Sequence, residues 1–261
     1  MRKLFSLQLA LALIVAYRPF PQSIAGGTGK GGGVSVMGGG PPSGGDTIAP
    51  DGASVGPGNN VNQSTLTWNH TVTSNADGIL CVGVAMIANS APPTVLSVTW
   101  NTTGNLSFIN SSPTGTGYTA SSNRVEQWCM LAPATGTHAI LVTLTAQVNI
   151  DLLAGATSLT GVHQSLTVDA TNQTSAASGQ PNGTIMTITA NAWVLDALAD
   201  NNADTLSATA PSVARWAFAD DARATAGSTS GPKVSPGSVT MAWTGATGKW
   251  NQSMIAVRPG P

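Results

Sequence analysis

Residues 65–87 read TLTWNHTVTSNADGILCVGVAMI and hold two strand signatures of different kinds. In the first, Leu66, Trp68, His70 and Val72 alternate with Thr67, Asn69 and Thr71. Successive side chains of a strand point to opposite faces, so this segment is a half-buried strand. In the second, Ile79 to Ile87 is apolar at both parities, the pattern of a central strand covered on both sides. Asn75-Ala-Asp77-Gly78 supplies the turn between them, because Asn, Asp and Gly tolerate turn geometry.

Working outward, apolar or alternating segments recur at 95–100, 106–110, 124–131, 139–148, 152–159, 166–170, 184–190, 193–199, 214–219, 239–243 and 253–258, with turn residues between them. About a dozen strands exceed what one open sheet holds, so the expectation is an all-β, two-sheet β-sandwich over residues 59–261. Composition points the same way. Charged residues are 8% of the chain, Glu126 is the sole glutamate and lysines are few, which removes the strongest helix formers. A net charge of -1 without a Lys/Arg cluster argues against a nucleic-acid partner. A neutral, hydroxyl-rich exterior also lacks the self-repulsion that keeps monomers apart.

Met1 to Lys3 is basic, Leu4 to Tyr17 is apolar except for Ser6 and Gln8, and Ser23-Ile24-Ala25 is a small-x-small cleavage pattern. Residues 1–25 therefore read as a secretory signal or, if retained, an apolar anchor; the run is shorter than the ~20 residues of a membrane span. Residues 26–58, GGTGKGGGVSVMGGGPPSGGDTIAPDGASVGPG, read as a Gly/Pro-rich tether or extended arm. Gly27, Gly29 and Gly32 have the spacing of a dinucleotide fingerprint, but the flanking strand and helix are missing. Lys30 is followed by Gly31 where a phosphate loop needs Ser or Thr.

Chemistry-bearing residues are sparse. Cys81 and Cys129 each lie in an apolar strand; on neighbouring strands they form a disulfide, and in a reducing compartment they remain buried thiols. His70, His138 and His163 have no metal spacing and no adjacent nucleophile motif, and read as strand or turn residues. Gly227-Ser-Thr-Ser-Gly231 places Thr229 where a nucleophile elbow needs serine. Glu126, with Trp128 on the same strand face, is the candidate acid of a sugar cleft; the plainer reading is a structural partner such as an Arg. Asp196, Asp200, Asn201, Asn202 and Asp204, with Asp220 and Asp221 as extra ligands, are the densest oxygen set, a calcium candidate weighed against ordinary turn chemistry. Trp68, Trp128, Trp193 and Trp243 share faces with apolar residues and read as core. Trp100, Trp216 and Trp250 sit at strand ends and are expected to be exposed, the material of a carbohydrate platform or of an interface. No residue is assigned a catalytic, cofactor-binding or metal role.

The run Ile79-Leu-Cys-Val-Gly-Val-Ala85, the segment Val125-Glu-Gln-Trp-Cys-Met-Leu-Ala-Pro-Ala-Thr-Gly136 and the closing Trp250 with Ile255-Ala-Val-Arg-Pro259 carry a resemblance. Residues 60–259 resemble the jelly-roll β-sandwich modules of virion decoration and fibre proteins and of secreted bacterial surface proteins. The likeness is one of strands and turns, with no catalytic motif. It implies a jelly-roll-like sandwich and a non-enzymatic structural or display protein on a virion or cell surface, anchored by its N-terminal arm. Its partners would be neighbouring subunits, in a homo-oligomer. The alternative is a secreted carbohydrate-binding or adhesion module with a cell-surface glycan as partner.

Overall fold

The computed structural model describes residues 47–58, 62–112, 122–220 and 223–261. The signal or anchor at 1–25, the tether from 26 to 46, and Asp221 lie outside the described residues. The first half contains β1 (Ala49–Val55), β2 (Gln63–Val72), β3 (Ile79–Ala88), β4 (Val95–Trp100), β5 (Gly104–Asn105), β6 (Ser107–Ser111), β7 (Ser122–Leu131), β8 (Gly136–Val148) and β9 (Asp151–Thr160). The second contains β10 (Val168–Ala176), β11 (Asn182–Thr187), β12 (Ala192–Asp200), β13 (Ser207–Ala208), β14 (Val213–Ala219), β15 (Ala224–Lys233), β16 (Gly237–Thr244) and β17 (Trp250–Val257).

The all-β class and its packed antiparallel sheets are as expected, but the strands divide among four sheets instead of two. The orders are β1-β9-β3-β7-β6 and β2-β8-β4-β5 in the first half, and β10-β17-β12-β15-β14 and β11-β16-β13 in the second. These are one topology used twice: β10 to β13 stand for β1 to β4, β14 to β17 for β6 to β9, and only the two-residue β5 lacks a counterpart. Each half is a jelly-roll-like sandwich whose chain alternates between two sheets. The repetition extends to detail. One-residue bulges interrupt β1 at Asp51 and β10 at Asp169. Asp51 accepts from the backbone N–H of Thr73 and Ser74, and Asp169 from those of Ile188 and Thr189, so each bulge pins the end of the following strand.

The four sheets stack as layers. Leu66, Trp68, Val98, Ile140 and Val142 of the first small sheet pack on Leu80, Val82, Val84 and Leu152 of the first large sheet. The opposite face of that large sheet, through Ile79, Cys81, Ala85 and Ile87, meets Trp193, Leu195, Ala197 and Ile255 of the second large sheet. The far side of the second large sheet packs on Ile185, Met241 and Trp243. Strand β3 is therefore buried at every position, as its two apolar parities require.

Two strands longer than two residues lie where the sequence shows none. β1 falls within the stretch read as a tether; Pro50 and Gly52 fit there because β1 is an edge strand, and Gly52 flanks its bulge. β15 has no apolar alternation, yet Ala224 to Ser230 is buried. Its residues are small because large rings lie across it: a Cβ on Gly227 would come within 2.4 Å of the Trp216 ring, and one on Gly231 within 2.4 Å of the Trp193 ring.

The two large sheets face each other as a twofold-related pair does, within one chain. β3 faces β12, β7 faces β17 as β15 faces β9, and β6 faces β10 as β14 faces β1. Gly83 and Ala197 occupy matching positions and meet at the pseudo-axis, where a Cβ on Gly83 would lie 2.6 Å from that of Ala197. Beside them the Trp216 ring also covers Gly155, whose Cβ would sit 2.2 Å from it.

Trp216→Ala should cost about 3–5 kcal/mol in urea unfolding, the range for emptying a buried aromatic site. Gly155→Ala should cost about 1–3 kcal/mol in the wild type by overpacking, and close to nothing in the Trp216→Ala background. Equal costs in the two backgrounds would contradict this packing.

Candidate functional site

The structure turns most of the chemistry-bearing residues into fixtures of the sandwich. Cys81 and Cys129 are opposite each other on β3 and β7 and form a disulfide. Glu126 is buried and accepts from Arg124 Nε at 2.6 Å, Trp128 Nε1 at 3.0 Å and the Val95 N–H at 3.4 Å, which is the structural alternative to a sugar-cleft acid. Its arginine partner is on the same strand. His70 lies in a buried relay: Trp68 Nε1 donates to Ser54 Oγ, His70 Nδ1 meets Ser54 Oγ at 2.8 Å, His70 Nε2 meets Ser158 Oγ at 3.2 Å, and Ser158 donates to Asp51 at 2.9 Å. In a hydrolytic triad the carboxylate orients the imidazole, whereas here it takes the hydroxyl proton of a serine that is itself buried. Thr229, the centre of the Gly227 to Gly231 segment, is buried in β15.

The candidate calcium ligands are gathered only in part, with Asp200, Asn202 and Asp204 in one loop network. Asp196 points between the second large and small sheets, accepting from Ser228 N, Ser228 Oγ and Trp243 Nε1 at 2.7 Å each and from Gln252 Nε2 at 2.6 Å. Burial pushes its carboxyl up against the pull of those donors. Asp220 caps its own turn through the Arg223 N–H. Asp200 and Asp204 do share a hydrogen bond, and Asp204 also accepts from Thr247 N and Oγ1. No group of three or more His, Cys, Asp or Glu is placed for a metal ion among the described residues.

Trp100, Trp216 and Trp250, expected at the surface, are 1%, 7% and 3% exposed. Trp100 packs edge-on against His70 and His138, while Trp216 lies on its glycines. The partly buried ring is instead Trp128, which meets the half-exposed Phe108 edge-on.

What remains open is a cleft of about 600 Å³ at one end of the interface between the two large sheets. Ile79, Ile109 and Leu131 of the first half face Val168, Ile255 and Val257 of the second across it, and Asn105, Ser107, Ser165 and Thr167 supply the polar edge. The residues facing each other across it are 37 to 178 positions apart in sequence, so no local pattern announces the site. No family model, no curated protein and no solved structure matches this chain.

Two of the buried groups with shifted protonation respond to pH in opposite directions. Burial brings His70 down to about 4 from 6.5, against the pull of the Asp51 carboxylate. Its contribution to stability is complete above pH 6.5 and is lost as pH falls toward 4. Burial first, and then the neighbouring Asp204, raise Asp200 to about 7. Its contribution has the opposite sign: it is full below about pH 4 and lost as pH rises through 7. The two contributions oppose each other between these limits. Asp200→Asn should therefore be stabilising relative to wild type by an amount that grows from pH 4 to above 7 in urea titrations. A difference independent of pH would contradict the assignment.

Proposed function

We propose that the protein is a non-enzymatic structural module displayed on a larger assembly, a virion or a cell surface. Residues 1–46 act as its anchoring arm, and neighbouring subunits, copies of itself among them, are its partners. The observation that carries this reading is the Cys81–Cys129 disulfide between neighbouring core strands, since such cross-links persist in oxidising surroundings outside the cytosol. The distribution of polar groups supports it. Glu126, Asp196 and His70 direct their hydrogen bonds inward, while the small outer sheets turn Thr65, Thr67 and Thr71 on one side and Ser238, Thr240 and Thr244 on the other to solvent. Faces of uncharged hydroxyls can pack against a neighbour without stripping water from a charge. The rival reading, a carbohydrate-binding module, relied on Trp100, Trp216 and Trp250, whose burial leaves it without those side chains as a platform.

The arm can be tested by removing residues 1–46, a cut that spares β1, whereas a cut at residue 58 would strip a paired strand. In the producing organism the full chain should sediment with particles or envelopes, and the shortened chain, with an unchanged circular dichroism spectrum, should stay in the supernatant. Equal partitioning of the two would contradict the reading.

A further inference from the structure

We infer that the cleft between the two halves binds an uncharged, mainly hydrocarbon small molecule. The inference is independent of surface display, because the cleft belongs to the fold wherever the protein resides.

The pseudo-twofold supplies an internal comparison. The strand registers match Ile79 with Trp193, Leu131 with Gly231, Ile109 with Arg215, and Val168 with Pro50, and Leu166 and Ile48 each lie two residues before that last pair. On the side of the interface formed by β14, β15, β1 and β9, the Trp193 ring lies on Gly231 and Arg215 Nε donates to Thr229 Oγ1 at 2.6 Å. Ile48 is 2% exposed there, inside the shared apolar cluster. On the side formed by β6, β7, β10 and β17, an isoleucine replaces the ring that fills the space, and Leu166 stands 61% exposed at the rim where Ile48 is inserted. One topology is thus filled at one of its two equivalent positions and open at the other, with the side chains at matched positions deciding which.

The lining states what fits. The volume of about 600 Å³ falls within the ~300–1,000 Å³ of small-molecule sites, which favour the boundary between structural units. Its walls are aliphatic, and the sulfur of Cys129 is tied up in the disulfide. None of the described lining residues carries a charge. A charged ligand would give up its hydration with no countercharge in return, whereas a hydrocarbon chain or ring gains from burial. A single hydroxyl or carbonyl can meet Ser107, Thr167 or Asn105 at the edge.

The test uses the full-length protein and N-phenyl-1-naphthylamine, a neutral probe that fluoresces in apolar surroundings. One saturable site per chain is expected. 1-Decanol should displace the probe at least tenfold more effectively than decyltrimethylammonium, which has the same chain and a fixed charge. Ile109→Arg, which gives the cleft the residue found at the filled position, should weaken probe binding at least tenfold. Ser107→Trp at the exposed mouth should do the same with an unchanged unfolding midpoint, which keeps the test decisive if the arginine variant folds poorly. Failure to saturate, equal displacement by the cation, or binding retained in Ser107→Trp would overturn the inference. So would a signal that falls as protein concentration rises, since a second copy would then be the occupant.

Discussion

Two sheets that are apolar on both faces must be covered on both faces, and this constraint organises the molecule. Ile79 to Ile87 cannot be satisfied by a single partner layer, and neither can Trp193 to Ala199 in the second half. Each half covers one face with its own small sheet and leaves the other apolar. Packing the two leftover faces together buries both at once, which gives the order small, large, large, small. Close approach at the axis is possible because Gly83 has no side chain to meet Ala197.

The remaining features follow from how that central interface is filled. At one level Trp216 occupies the space above Gly155 and Gly227; at the pseudo-equivalent level Asn110, Ser253 and Gln127 occupy it, with Ser253 Oγ bonded to Gln127 Oε1 at 3.1 Å. A ring plus two glycines and three mid-sized polar side chains are alternative solutions to the same volume. Further toward the end of the sheets only one side is filled, and the cleft is the result. Buried polar groups elsewhere act as inter-layer pins. Asp196 ties β12 to β15, β16 and β17, and Asp51 ties β1 to the end of β2 and to β9.

Much of the fold is legible from period and parity. β2 buries Leu66, Trp68, His70 and Val72 as its alternation requires, β3 is central, and the cysteines take one of the two outcomes open to them. β15 is illegible because its inward positions are filled by rings from β12 and β14, so small residues there mark dense packing and not a loop. The same cause misplaces Trp216: a tryptophan at a strand end looks exposed until the glycines beneath it, 61 positions earlier at Gly155 and 11 later at Gly227, are known to form its slot. The duplication is hidden because the halves conserve backbone events and not residue types. Bulges fall at Asp51 and Asp169, at Ile109 and Arg215, and positive φ angles precede the central strands at Asp77 and Asn191. Few matched positions repeat as residues, the bulge aspartates and Ala85 with Ala199 among them, too little to read as periodicity.

Amide hydrogen exchange resolved by peptide addresses the claim that two repeats share one core. If the large sheets depend on each other, β3 and β9 of the first half and β12 and β17 of the second should be the slowest segments and should exchange together, with one opening free energy as denaturant is raised. Separate opening of residues 162–261 while β3 and β9 stay protected would contradict it.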